Sequence, residues 1–185
     1  MPESTPPPSD LAGLSLAEIA QAVAERRLPP VESWNPPHCG DSGMRIARDG
    51  TWHHDGAPIR RPAMVRLFAS LLRREAEGRY VLVTPVEKLD IAVEDAPFLA
   101  VEARSEGTGR DRRIAFRLNT DEPVIAGPAH RLHMVDDRPY LTVRAGLEAA
   151  VARPVYYELA ELALDEAHEP PGLWSDGVFF PLATA

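Results

Sequence analysis

The residues best suited to covalent chemistry are His38 and Cys39, an imidazole and a thiol that are adjacent in the chain. A cysteine nucleophile needs a lowered pKa and a base that orients it. Adjacent side chains rarely point at one another, so the base would have to come from elsewhere. Cys39 is the only cysteine, which excludes an intrachain disulfide and a site with several thiolates. We interpret Cys39 as a small buried hydrophobe and keep a nucleophilic role as the alternative.

The run Gly40-Asp41-Ser42-Gly43 looks like the nucleophile loop of chymotrypsin-like proteases. In those enzymes the catalytic His and Asp precede the Ser in the chain. Only 41 residues precede Ser42, too few for the barrels that such a protease requires. We therefore exclude a protease of this type and interpret the run as a glycine-rich turn.

The polar motif Thr84-Pro85-Val86-Glu87-Lys88 interrupts an apolar strand and holds the only lysine of the chain. The pKa of a lysine can be tuned by its surroundings, which arginine does not allow. The structural alternative is an exposed Glu87–Lys88 pair on a bulged strand, because surface pairs are common and weak.

Local structure explains the histidine and carboxylate pairs. Two histidine pairs place their members on opposite faces of a strand, so neither pair can hold one metal: His53 with His54, and His130 with His133. The acidic pairs Glu94-Asp95 and Asp136-Asp137 each precede x-Pro-aromatic, where Asp caps a turn through its own side chain. We predict no metal site, no cofactor and no catalytic residue.

Composition and charge narrow the class of protein. The net charge of −8 argues against nucleic-acid binding, which needs a basic footprint. The first residues have neither the basic region nor the apolar run of a signal peptide, and no stretch approaches the roughly 20 apolar residues of a membrane span. The common nucleotide-binding, zinc-protease and hydrolase motifs are absent. We expect a soluble, cytoplasmic protein.

Four segments position these residues. Residues 1–10 are rich in Pro and Ser and predict a disordered tail. Residues 11–43 predict an N-terminal helix, which begins at the capping box Ser15-Leu-Ala-Glu18, and a Pro-rich arm that buries Trp34. Residues 44–92 and 93–185 predict two related α+β halves, each of antiparallel strands packed with a helix.

An internal repeat supports the two related halves. The run V-E-D-A-P-F-L-A-V-E-A at 93–103 recurs as V-D-D-R-P-Y-L-T-V-R-A at 135–145. We interpret the acidic pair of each copy as the corner of a hairpin. Asp-Gly pairs predict further tight turns at Asp49-Gly50, Asp55-Gly56 and Asp176-Gly177.

Apolar periodicity gives the remaining elements. One helix is predicted from Pro62 to a left-handed cap at Gly78, and another from Leu147 to about Glu166. Strands are predicted at 80–83 and 86–93, and a pair at 98–104 and 112–118 with Ile114, Phe116 and Leu118 facing inward. Residues 121–128 are predicted to be a connection.

Several runs together resemble one family: W-N-P-P-H-C-G-D, R-I-A-R-D-G-T-W-H-H-D-G-A-P-I-R-R, V-R-L-F-A-S-L-L, Y-V-L-V-T-P-V-E-K and V-E-D-A-P-F. This is the proteobacterial domain-of-unknown-function family twelve-eighty-five. The resemblance covers about residues 34 to 182. It implies a two-part α+β fold with repeated motifs and no established activity, with a suggested signalling or regulatory role.

Two related halves leave a cleft where ligands are expected. We place the site in two segments that are not repeated, the arm Trp34 to Asp41 and the interruption Thr84 to Lys88, with Arg60 as a further polar position near the cleft. The candidate ligand-cleft residues are Trp34, His38, Cys39, Asp41, Arg60, Thr84, Glu87 and Lys88. The favoured function is a non-enzymatic regulatory or ligand-sensing module in bacterial signal transduction. Its partner would be a small molecule or a protein, and a homodimer is a further option. The alternatives are a small-molecule enzyme that uses Cys39, or Lys88 with Glu87, and a protein-interaction scaffold.

Overall fold

A computed structural model describes residues 15, 17 and 28–183. The predicted disordered tail lies outside the described residues, as does the predicted N-terminal helix apart from Ser15 and Ala17. The described chain falls into two compact units. We call residues 28–99 with 143–149 the N-terminal unit, and residues 100–142 with 150–183 the C-terminal unit.

The first sheet has six strands in the order β3-β2-β1-β6-β5-β4. Their bounds are β1 His38–Ile46, β2 Trp52–His54, β3 Ala57–Pro58, β4 Leu72–Arg74, β5 Tyr80–Val83 and β6 Glu87–Val93. Neighbours are antiparallel except β1 and β6, which are parallel. The expectation of purely antiparallel strands was therefore wrong for this half, because a long crossover containing a helix and a hairpin separates β1 from β6.

The second sheet also has six strands, in the order β10-β11-β12-β7-β8-β9, and a separate hairpin joins β13 to β14. The bounds are β7 Phe98–Glu106, β8 Arg113–Leu118, β9 Pro123–Ile125, β10 Leu132–Val135, β11 Arg138–Arg144, β12 Leu147–Val151, β13 Gly172–Ser175 and β14 Val178–Pro181. The predicted pairing of β7 with β8 is confirmed, and Ile114, Phe116 and Leu118 are fully buried. The predicted connection at 121–128 was wrong, because it contains β9, which pairs with β8.

The two helices are shorter than the apolar periodicity predicts. Helix α1 spans Pro62–Ser70 and helix α2 spans Arg153–Glu166. The predicted continuation to Gly78 was wrong, since Leu72 is buried in β4 opposite Leu82, and Gly78 lies in the turn between β4 and β5. The predicted start at Leu147 was also wrong. Residues Leu147–Val151 form β12, which is buried at four of its five positions.

The two copies of the repeat have different structures. In the second copy, Asp136 and Asp137 both have positive φ angles, 48° and 60°, and form the two-residue turn between β10 and β11. This hairpin is confirmed. The first copy connects β6 to β7, strands that belong to different sheets, so the predicted hairpin there was wrong. Similar sequences adopt different structures here because strand pairing depends on partners that are distant in the chain.

Each unit has its own apolar core and one helix. In the N-terminal unit, Trp52 is 1% exposed and its ring stacks on Phe68 of α1, with the centroids 6.4 Å apart. In the C-terminal unit, α2 buries Val155, Leu159 and Ala163 at helical spacing. Helix α1 differs from the periodicity of its sequence, which predicts an apolar face that includes Met64 and Leu67: these two side chains are 39% and 58% exposed, and Ala69 is its buried residue.

Candidate functional site

The parallel pairing of β1 and β6 brings four of the predicted site residues together. His38 lies opposite Glu87, and Cys39 lies opposite Lys88. Because paired residues on neighbouring strands share a face, Cys39 and Lys88 are on one face of the sheet and His38 and Glu87 on the other. The sequence analysis grouped these residues in one candidate cleft, but it did not predict the strand pairing that places them side by side.

Thr84 directly follows β5 and shapes the loop that leads into β6. Its Oγ1 accepts hydrogen bonds from the backbone N–H groups of Val86 (3.3 Å) and Glu87 (3.1 Å). The backbone N–H of Thr84 donates to the carbonyl of Glu87 at 2.9 Å. The Thr84-Pro85 pair was predicted to interrupt one strand. It instead forms the hairpin loop between two antiparallel strands, which gives Thr84 a structural role.

Lys88 belongs to a part-buried cluster of charged side chains. Its Nζ lies 3.0 Å from Oε1 of Glu75, and Nη2 of Arg73 donates to the same oxygen at 2.9 Å. The side chains of Lys88 and Glu75 are each 17% exposed, and that of Arg73 is 9% exposed. The hydrogen bond from Arg73, followed by that from Lys88, holds the pKa of Glu75 below its ordinary value despite the opposing effect of burial.

Arg73 also attaches the Pro-rich arm to the sheet. Its Nη1 donates to the carbonyls of Val31 (2.8 Å) and Trp34 (2.7 Å), which lie in and after the short 3₁₀ helix Val31–Ser33. The arm thereby covers the β4 side of the sheet, and the Trp34 side chain is half-buried where full burial was expected. Arg73 and Glu75 were missed in the sequence because they were assigned to the interior of a helix, where their strand partners are not visible.

The remaining predicted residues are exposed. Cys39 is exposed, so its interpretation as a buried hydrophobe was wrong. It lies in the first part of β1, where, among residues 28–183, that strand has a neighbour only on the β6 side. Asp41 is exposed, and its Oδ1 accepts the N–H of Gly43 at 2.8 Å next to an irregularity in the pairing with β6. Arg60 is exposed after β3 and is not part of the charged cluster.

A small pocket lies in the N-terminal unit beside the arm. Its volume is about 140 Å³. The Arg144 guanidinium at its wall donates to the carbonyl of Ala69 at 3.2 Å and lies 5.1 Å from the ring centroid of Phe98. Most of the lining is apolar, and among the described residues it consists of Leu28, Pro29, Pro30, Val31, Glu32, Ser70, Leu72, Arg144, Ala145 and Leu147.

The C-terminal unit has a part-buried ion pair of its own. Oε1 of Glu166 accepts hydrogen bonds from Nη2 and Nε of Arg112, the latter at 3.1 Å, and from the N–H of Gly109 at 3.0 Å. The bond from Arg112, with smaller help from Gly109 and His168, holds the pKa of Glu166 below its ordinary value. The pair connects the end of α2 to the loop between β7 and β8. In the described part of the chain, no group of three His, Cys, Asp or Glu residues is placed to hold a metal ion.

Two six-stranded sheets and two helices, divided between two related halves, make this an α+β protein. Residues 29–96 match the N-terminal domain of DUF1285, described as a domain of unknown function. Residues 97–182 match the C-terminal domain, described as a protein of unknown function. The chain therefore belongs to the DUF1285 family, the family that its sequence motifs resemble.

Two solved structures are similar to the chain. A DUF1285 family protein from Silicibacter pomeroyi DSS-3 is 47% identical, with a TM-score of 0.80 and coverage of 92% of this chain and 96% of that one. A DUF1285 family protein from Shewanella baltica OS155 is 25% identical, with a TM-score of 0.52 and coverage of 68% and 93%. No curated protein matches the chain. No helix among the described residues is long and apolar enough to cross a membrane.

Proposed function

We propose that the protein is a non-enzymatic, cytoplasmic ligand-sensing module of bacterial signal transduction. The observation that carries the proposal is the pocket of about 140 Å³ whose wall includes the arm residues Leu28 to Glu32. A molecule bound there contacts both the arm and the sheet. Its binding therefore stabilises the arm in the position in which Arg73 of the charged cluster holds it, and a partner protein can recognise the arm in that position.

The lining of the pocket suggests the class of ligand. Leu28, Leu72 and Leu147 provide apolar surface, and Arg144 provides a positive charge. The volume admits only a small molecule, so we propose a short apolar molecule with one carboxylate. The charged cluster supports a role without catalysis, since Lys88 is held in an ion pair with Glu75.

A thermal-shift screen of short-chain carboxylic acids tests this function. A ligand at 100 times its Kd stabilises a protein by about 2.7 kcal/mol, which for a chain of this size raises the Tm by several degrees. The pocket-filling variant Ser70→Leu is expected to lose this shift. The control Ala160→Leu adds bulk to a half-buried position of α2 and is expected to keep it. A library without any stabilising compound, or a shift that persists in Ser70→Leu, contradicts the proposal.

An enzyme that uses Cys39 is the second candidate, and one observation favours it. Cys39 is exposed and lies opposite Lys88 in the strand register. An exposed thiol is accessible to an electrophilic substrate. Alkylation by iodoacetamide at pH 7 tests this alternative: a rate no faster than that of free cysteine removes it.

A further inference from the structure

Strand β1 has an open edge along its first half. On one side, β6 pairs with β1 from His38 to Asp41 and again from Met44 onward. On the other side, β2 pairs only with residues Met44 to Ile46, and the last hydrogen bond of that side runs from the N–H of Asp55 to the carbonyl of Gly43 at 2.9 Å. Within residues 28–183, no strand lies beside 38–41 on the β2 side, and all four of these residues are exposed.

The outer edges of this sheet are protected, which makes the β1 edge different. Strand β3 has only two residues, one of which is Pro58, and Arg73 holds the arm beside β4. Short strands, prolines and covering segments are the usual means of blocking strand addition. The segment 38–41 has prolines only before it, at Pro36 and Pro37. Alternate residues of such an edge direct N–H and C=O groups outward, and an extended peptide can pair with them.

Gly40 creates a socket on one face of this edge. A Cβ atom built at Gly40 would lie 3.3 Å from Cδ2 of the half-buried Leu89, its register partner on β6. With only a hydrogen at Gly40, the side chain of an added strand can pass over the glycine and contact Leu89. Aromatic side chains fill such positions over strand glycines. The socket therefore fits an aromatic or long apolar side chain.

The other face of the edge carries the carboxylate of Asp41, and Lys88 on the same face is already paired with Glu75. Asp41 and Asp90 are register partners, so their carboxylates share a face. Asp90 is paired with Arg79, whereas Asp41 accepts a hydrogen bond from the N–H of Gly43 and is exposed. A basic side chain on an added strand would lie opposite Asp41, and opposite charges across a strand pair are stabilising. The net charge of −8 favours the approach of a basic segment.

We propose that the open edge of β1 binds an extended basic segment of a partner protein, which adds to the sheet as a strand. An aromatic or long apolar side chain of that segment lies over Gly40 against Leu89, and a Lys or Arg lies opposite Asp41. This interaction surface is distinct from the small-molecule pocket and does not depend on it.

The probe is a fluorescein-labelled peptide of sequence T-K-F-K-F-K-T, whose alternation places Phe and Lys on opposite faces of a strand. Fluorescence anisotropy with the full chain is expected to show saturable binding. A peptide of the same sequence with an N-methyl group on every backbone amide keeps the charge but has no backbone N–H to donate, and it is expected to bind at least tenfold more weakly.

Two variants and one matched control locate the binding. Gly40→Val fills the socket and is expected to weaken binding at least tenfold, while the Tm reports that the variant is folded. Asp41→Asn is expected to weaken it about two- to fivefold, the usual range for one exposed charge pair. Asp49→Asn is the control, because Asp49 accepts the N–H of Thr51 at 2.9 Å just as Asp41 accepts that of Gly43 at 2.8 Å. Its affinity is expected to be unchanged.

Three outcomes overturn the proposal. The first is no saturable binding of the probe. The second is equal binding of the N-methylated peptide, or unchanged binding in a folded Gly40→Val variant, since either means attraction by charge alone. The third is self-association of the full chain. If Gly40→Val abolishes that self-association and the probe peptide does not compete with it, the edge binds a second copy of the chain.

Discussion

At the scale of single residues, Glu75 is the centre of the N-terminal unit's polar structure. Its Oε1 accepts a hydrogen bond from Arg73 and forms an ion pair with Lys88. Arg73 in turn holds the arm by donating to two backbone carbonyls. The lysine that looked chemically distinctive in the sequence thus has a structural partner. Removal of Glu75 would leave two positive charges part-buried and close together, which is costly.

Glu75→Gln is expected to reduce the free energy of unfolding at pH 7 by about 1–3 kcal/mol, the range for a lost charged hydrogen bond. Because folding lowers the pKa of Glu75 from 4.5, its contribution is full above pH 4.5 and is lost as the pH falls through the folded value. The difference between the wild type and the variant should therefore shrink at pH 3. Urea unfolding at the two pH values measures it. Glu77→Gln, at an exposed position of the same turn, is the control and should change little. If the wild type and Glu75→Gln differ in free energy of unfolding by the same amount at pH 7 and pH 3, the ionised form of Glu75 is not what stabilises the fold.

At the scale of elements, tight turns with left-handed residues define where strands and helices end. The β2–β3, β10–β11 and β13–β14 turns each begin with an Asp at positive φ. Such turns favour Gly, Asn and Asp, which is why the sequence predicts them. Helix α2 ends differently: Ala167 has a φ of 53° at the position where Gly is usually found. The left-handed conformation costs an alanine about 1 kcal/mol relative to glycine.

Ala167→Gly is therefore expected to stabilise the protein by about 0.5–1 kcal/mol. The matched control is Ala160→Gly within α2, where glycine should destabilise by about 1 kcal/mol. Thermal unfolding of both variants against the wild type measures the difference. A lower Tm for Ala167→Gly would show that the end of α2 does not have this strained conformation.

At the scale of the whole molecule, the N-terminal unit is not continuous in sequence. Residues 143–149 belong to the same compact unit as residues 28–99, although more than forty positions separate the two segments in the chain. Val143 and Leu147 in this segment are 2% and 1% exposed. The family's division at 96 and 97 therefore separates these two residues from the unit that they belong to.

A fragment of residues 28–97 is expected to be largely unfolded. It lacks Val143 and Leu147, and each aliphatic side chain contributes about 1.5–3 kcal/mol when buried, against a typical total of about 5–15 kcal/mol. Joining 143–149 to the fragment through a Gly-Ser linker should restore cooperative unfolding by circular dichroism. The same fusion with Val143→Ser and Leu147→Ser is the control. Equal stability of all three fragments would show that the segment contributes nothing to this unit.

The α+β class, the family, the pairing of β7 with β8 and the tight turns at Asp55-Gly56 and Asp176-Gly177 were predicted from sequence. The two-residue turn predicted at Asp49-Gly50 was wrong, because residues 47–51 connect β1 to β2. The correct predictions depend on alternation within one strand and on residues that tolerate positive φ, such as Asp55 and Gly56, so a short stretch of chain contains the information. The start of α1 was predicted for the same reason, since Pro62 suits the first turn of a helix.

The ends of the helices, the order of the strands and the contacts of the polar residues became clear only in the folded chain. Leu72 and Leu147 have the apolar character of either a helix or a strand, and their sheet partners select the strand. His38 and Cys39 lie 49 positions before Glu87 and Lys88, and the parallel pairing of β1 with β6 places them side by side. Such proximity follows from the packing of the whole unit, because contacts between distant parts of a chain form no local pattern in its sequence.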